Sequence, residues 1–137
     1  MRISVAALAG ALALAGCGSS VSVSGFKGEE HEVAQAIANL QSDTSSQSQA
    51  RVCANDLAQS IVQRLNRSPG GCEAAIKSQQ AEIDPGLEVT VESVHIGGTA
   101  AARTATAKVK STFEGKRRPA TLELVKEAGK WKISGLQ

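Results

Sequence analysis

Apolar residues recur at helical spacing from Glu29 to about Ala81, and at alternate positions from Val89 to Ile133. A chain that changes period in this way builds a block of helices and then a block of strands. Strands that succeed one another through short turns pair as antiparallel neighbours. The order predicts an α+β domain: three N-terminal helices packed on one face of a curved four-stranded antiparallel sheet.

The helical half divides at its polar interruptions. Val33, Ile37 and Leu40 mark a first helix from Glu29 to about Gln41, with Glu29, Glu30 and Glu32 loading its positive end. The run Ser42-Asp43-Thr44-Ser45-Ser46-Gln47-Ser48 reads as a loop. Cys53, Leu57, Ile61 and Leu65 form the stripe of a second helix, Gln49 to Asn66, which Ser68-Pro69-Gly70-Gly71 ends. A short third helix follows, from Cys72 to about Ala81.

The strand half opens after a turn at Asp84-Pro85-Gly86. Val89 and Val91 keep one phase and Val94 and Ile96 the other, so a β-bulge is expected at Glu92-Ser93, and bulges bend strands. After a hairpin at Gly97-Gly98, Ala105, Ala107, Val109 and Phe113 face one way. Thr104, Thr106, Lys108, Lys110 and Thr112 face the other, so the sheet has one wet side. Gly115-Lys116-Arg117-Arg118 reads as a basic hairpin tip, and Ala128-Gly129 as the last turn.

Ahead of this domain the chain begins Met1-Arg2-Ile3-Ser4 and stays apolar to Leu14, the layout of a secretory signal peptide and too short to span a bilayer. It ends in Leu14-Ala15-Gly16-Cys17, which resembles the lipobox of bacterial lipoproteins. The resemblance implies cleavage after residue 16 and a diacylglyceryl group, with palmitate-type chains, on Cys17. The membrane is then a partner through that lipid, and the chain sits on the extracytoplasmic face of the cell membrane. Residues 17–28, rich in Ser and Gly, form a flexible tether with a reach of roughly 15–20 Å. Residues 29–137 form one domain.

With Cys17 lipidated, Cys53 and Cys72 remain as an even pair in an exported chain, which favours a disulfide over two free thiols. No second pair of soft ligands lies near them, so a metal site is not expected, and no cofactor motif is present. The whole chain carries a formal charge of +2, which excludes a strongly basic nucleic-acid binder. The charge is uneven: five basic and eight acidic residues from Cys17 to Leu87, against nine and five from Glu88 onward. That asymmetry could orient the domain on anionic lipid. Tyrosine is absent and aromatics are few, so stacking platforms are scarce.

Cys53 and Cys72 with the following Glu73-Ala74-Ala75-Ile76, and the closing Gly129-Lys130-Trp131-Lys132-Ile133-Ser134-Gly135-Leu136, complete a pattern. It is similar to the nuclear transport factor 2-like (cystatin-like) superfamily, in small exported members of high-GC Gram-positive bacteria. The resemblance covers residues 29–137 and implies a cone, in which helices pack into a strongly bent sheet. It departs from many members in lacking a long first hairpin. The superfamily holds isomerases, dehydratases and cyclases with an Asp, His or Tyr in the cone, and also binding and scaffold domains.

The chain offers few catalytic groups. His31 reads as a solvated helix-start residue, and alternation puts His95 on the wet face. Asp56 is the best-placed acid, at the flank of the second helix's apolar stripe. Inside a dry cone its pKa would rise; otherwise it is a solvated carboxylate beside Gln59 or Ser60. The expectation is therefore a non-enzymatic binding or accessory module of the envelope, with an envelope protein or a small apolar ligand as partner. The apolar ligand would meet Ile37, Leu40, Leu57, Ile61, Val109, Leu122, Leu124 and Trp131. A small isomerase or dehydratase is the further alternative.

Overall fold

The structure, a computed structural model, describes residues 22–81, 88–113 and 116–137. The leader, Cys17, the first part of the tether, the turn expected at 84–86 and Gly115 lie outside them. Among the described residues, four α-helices precede a four-stranded antiparallel meander of order β1-β2-β3-β4. Helix α1 (Gly28–Ser45) lies across strands β1 (Glu88–Gly98), β2 (Arg103–Phe113) and β4 (Lys130–Leu136). Strand β3 (Lys116–Glu127) pairs with β2 and β4. The class is α+β as expected, but with four helical segments instead of three.

Two departures from the periodic pattern shape the site. First, α1 continues through Ser42-Asp43-Thr44-Ser45, the residues expected in a loop. Its last carbonyls find partners close by: the Ser46 amide and hydroxyl both donate to the Ser42 carbonyl at 3.0 Å, and the Ser48 amide donates to that of Asp43 at 2.9 Å. Short polar side chains that disfavour mid-helix positions serve well at such an end. Gln47, at φ +56°, then turns the chain away.

Second, the continuous helix expected over 49–66 does not exist. It begins as α2 (Gln49–Arg51), widens into a π-helical turn (Val52–Asp56), and breaks at Leu57-Ala58, which are extended. The break is made by the edge of β4. Leu57 forms a parallel bridge with Ile133, and the Ala58 amide donates to the Ile133 carbonyl at 2.8 Å. Helix α3 (Gln59–Leu65) then restarts, its first amide held by the Glu127 carboxylate at 2.8 and 3.2 Å. Helix α4 (Gly71–Gln80) begins at the second of two glycines in the left-handed region, Gly70 and Gly71. Cys53 and Cys72 are bonded, with Cα atoms 6.2 Å apart, so α4 is stapled to the π turn.

The sheet follows its alternation closely. The β1–β2 register slips between Val91 and Ser93, where the phase change placed the bulge, and a second slip lies at Glu123/Leu124. Ala105, Ala107 and Val109 are buried, while Thr104, Thr106 and Lys108 are exposed. Lys116, Arg117 and Arg118 are not a turn; they pair in β3 with Phe113, Thr112 and Ser111. Ala128 and Gly129, at φ +50° and +78°, make the two-residue turn into β4, a geometry that suits the twist of a hairpin. The core joins Val33 and Ile37 of α1 to Val91, Ala105, Ala107, Val109, Leu124, Trp131 and Ile133. Ala107 is 0 % exposed, so the small residues let α1 approach the sheet.

Candidate functional site

Beside the core, α1 presents a polar row at four-residue spacing: His31, Gln35, Asn39 and Asp43. Side chains four apart lie along one helix edge, and the Gln35 amide donates to Asn39 at 3.1 Å. This row forms one wall of a cleft of about 650 Å³. Arg51, Asn55 and Asp56 of the α2–π segment and Gly129, Lys130 and Trp131 at the β3–β4 turn complete the lining.

The π turn is what carries Asp56 there. Its wide hydrogen bond runs from the Leu57 amide back five residues to the Val52 carbonyl, at 3.1 Å. Widened turns leave carbonyls without helical partners. Lys132 of β4 supplies one, donating through Nζ to Asn55 at 2.5 Å and Ala54 at 3.3 Å. The turn is thus held on one side by an ammonium, on another by the Cys53–Cys72 bond, and below by the Leu57–Ile133 bridge.

Held in this way, Asp56 is buried, 5 % exposed, and is not the solvated carboxylate that was the simpler expectation. Burial is the main cause that pushes its carboxyl up to about 7. The negative charge of Asp43 and the hydrogen bond shared with it act in the same direction, and Lys132 opposes them. A carboxyl near a second negative charge is harder to ionise, because like charges repel. Arg51 reaches Asp43 only at 3.8 Å and is largely exposed. Asp56 Oδ2 and Trp131 Nε1 are both buried without a hydrogen-bond partner among the described residues. Buried polar atoms are nearly always paired, so two such atoms on residues bordering one cleft mark it out.

The entrance to α1 is fixed by ion pairs. The Arg103 guanidinium forks onto Glu29 at 2.8 and 2.5 Å and holds that carboxyl below its usual range. Lys126 lies 3.6 Å from Glu32 and 5.7 Å from the centre of the Trp131 ring. His31 is half-buried, not solvated: its Nδ1 donates to the Val23 carbonyl at 3.1 Å, and the ring borders the cleft. His95 is exposed on the wet face.

The eight residues expected to line an apolar pocket sit elsewhere, with one exception. Ile37, Val109, Leu124 and Trp131 belong to the buried cluster, and Leu40, Leu57 and Leu122 pack around it. Ile61 is half-buried on α3. Trp131 alone of the eight also borders the cleft. Sequence reading missed Asp43 and Arg51, although the spacing of His31, Gln35, Asn39 and Asp43 was there to be seen. No group of three or more His, Cys, Asp or Glu side chains suited to a metal occurs among the described residues. No protein-family model matches the chain, and no curated protein matches it in sequence.

Proposed function

We propose that this chain is a lipid-anchored envelope protein whose domain is a binding module, receiving its partner in the cleft beside α1. The anchoring part of the reading rests on the leader and Cys17. The binding part rests on one observation: Asp56 and Trp131, each 5 % exposed, both border the cleft and each keeps a polar atom without a partner among the described residues. Satisfying such atoms from outside is worth roughly 1–3 kcal/mol apiece, a reserve that a polar ligand can use. The finer fold reading, a cone of the nuclear transport factor 2-like kind, draws support from the long α1 lying across a sheet with two register slips.

A polar partner fits this cleft better than an apolar one. Val33, Ile37 and Leu124 are at most 2 % exposed and fill the interior where an apolar ligand was expected. Native mass spectrometry of the chain, extracted in detergent from its own membrane, tests the reading. A mass above the lipidated chain, lost on denaturation and absent when Asp56 is replaced by Asn, supports it. A bare lipidated mass, together with no crosslink from a photoreactive group at Gln35 to any other molecule, overturns it.

A second reading has its own observation. A carboxyl poised at about 7 is suited to taking and returning a proton, the requirement of a general base. On this reading Asp56 serves a small isomerase or dehydratase. Solvent deuterium entering an enolisable ketone with the wild-type chain, and not with Asp56→Asn, is its signature.

A further inference from the structure

The floor of the cleft describes its ligand more closely, given that the cleft is the binding site. Asp43 comes from the last turn of α1 and Asp56 from the π turn, and their carboxyls share a hydrogen bond. Charged and titratable groups reach this floor from every element around it. From α1 come His31 and Glu32, from α2 Arg51, and from β4 Lys130 and Lys132. Among the described residues only Arg51 forms an ion pair with either acid, meeting Asp43 at 3.8 Å. The Lys132 ammonium is committed to the Ala54 and Asn55 carbonyls, and Arg51 is 68 % exposed in its side chain. A pair that open to solvent, at 3.8 Å, neutralises little.

Arg51 and Lys130 also line the cleft, yet Asp56 Oδ2 has no partner among the described residues. Beside it stands an indole ring already visited by a cation, since Lys126 Nζ is 5.7 Å from its centre. The same indole keeps a buried N–H that lacks an acceptor among the described residues. Acceptors, a cation-attracting ring and one spare donor together specify an ammonium group with an oxygen near it.

We propose that the cleft binds a small organic amine bearing a neighbouring oxygen, an amino alcohol or amino sugar, whose ammonium sits between the carboxyls of Asp43 and Asp56. No covalent bond forms or breaks. The ammonium donates to the two carboxylates, the proton leaving Asp56 goes to solvent, and the ligand oxygen accepts from the Trp131 N–H. Each binding event releases about one proton. With Asp56 pushed up to about 7, affinity rises by about tenfold between pH 6 and pH 8 for an amine protonated throughout.

Ethanolamine is the probe, titrated into the full-length chain in detergent and followed by NMR of the aspartate carboxyl carbons and the indole N–H. Saturable shifts of Asp43, Asp56 and Trp131, stronger at pH 8 than at pH 6, are expected. Arg51→Gln, at a long and exposed pair, should leave binding within about twofold, and Asp43→Asn should weaken it about tenfold. The proposal is overturned by the absence of shifts at roughly 100 mM, where a millimolar site saturates, or by equal binding at both pH values. Neutral sugars, amides and carboxylic acids are titrated alongside. Should one of these occupy the cleft while ethanolamine does not, the amine assignment fails and the binding-module reading stands. Should nothing bind there, both fail.

Discussion

Lys132 Nζ lies 2.5 Å from the carbonyl oxygen of Asn55, joining the edge strand of the sheet to the turn that ends in Asp56. The contact ties residues 77 positions apart, and it sets both the shape of the turn and the field at the acid beside it. Replacing Lys132 by Met should cost about 1 kcal/mol in denaturant unfolding, because part-exposed hydrogen bonds to charged groups are worth little more. It should also raise the Asp56 pKa further, since Lys132 is the group that lowers it. An unchanged carboxyl titration in the variant would contradict this account of the site.

Asp56 makes stability depend on pH in an unusual direction. Its carboxyl titrates at about 7 in the folded chain and at its ordinary value near 3.8 in the unfolded one. The folded state therefore holds the proton more tightly, and stability falls as pH rises from about 4 to about 7. The full drop is on the order of 4 kcal/mol, at about 1.4 kcal/mol per pH unit. Asp56→Asn should flatten that slope and leave the variant more stable than the wild type at pH 8. Urea unfolding of both proteins across pH 4–8 measures it.

The Cys53–Cys72 bond closes a separation of 19 residues and tethers the π turn to α4. The Cys53→Ser, Cys72→Ser double variant should lose about 3 kcal/mol, the range expected for a loop of this size. It should also lose the raised Asp56 titration before global unfolding, because the staple is one of three supports of that turn. Carboxyl NMR at moderate urea distinguishes the two losses.

Ala107 is 0 % exposed beneath α1. Ala107→Leu should destabilise by about 1–3 kcal/mol, since a packed interior resists added volume. Ala107→Ser, nearly isosteric, should cost less. If Leu were tolerated without loss, the close approach of α1 to the sheet would be wrong.

The Glu127 carboxylate accepts from the Gln59 amide at 2.8 Å and so caps α3 from across the fold. Glu127→Ala should cost about 1 kcal/mol, as lost helix caps do. Faster hydrogen exchange confined to residues 59–62 would report it.

Much of the frame was legible because it rests on periodicity. The alternation of Ala105, Ala107 and Val109 against Thr104, Thr106 and Lys108 assigned the two faces of β2, and the phase change after Val91 located the bulge. Each of these is a local pattern of burial, repeated by neighbouring residues, and a single chain displays it directly. Parity of the two remaining cysteines likewise pointed to the bond that is present.

The site was less legible, because its residues are placed by partners far along the chain. Ser42 to Ser45 have the composition of a loop, yet they form the last turn of α1 and bring Asp43 to the floor of the cleft. Leu57 fits the stripe of a long helix, yet it leaves the helix to pair with Ile133, an edge residue whose hydrogen bonds were open. By itself the sequence determined the order of elements, the buried face of the sheet and the cysteine pairing, since these follow from local spacing and covalent chemistry. Only the tertiary structure decided where the second helix breaks and that Asp56 is buried against Asp43. Those outcomes depend on hydrogen bonds and desolvation between segments that no local pattern relates.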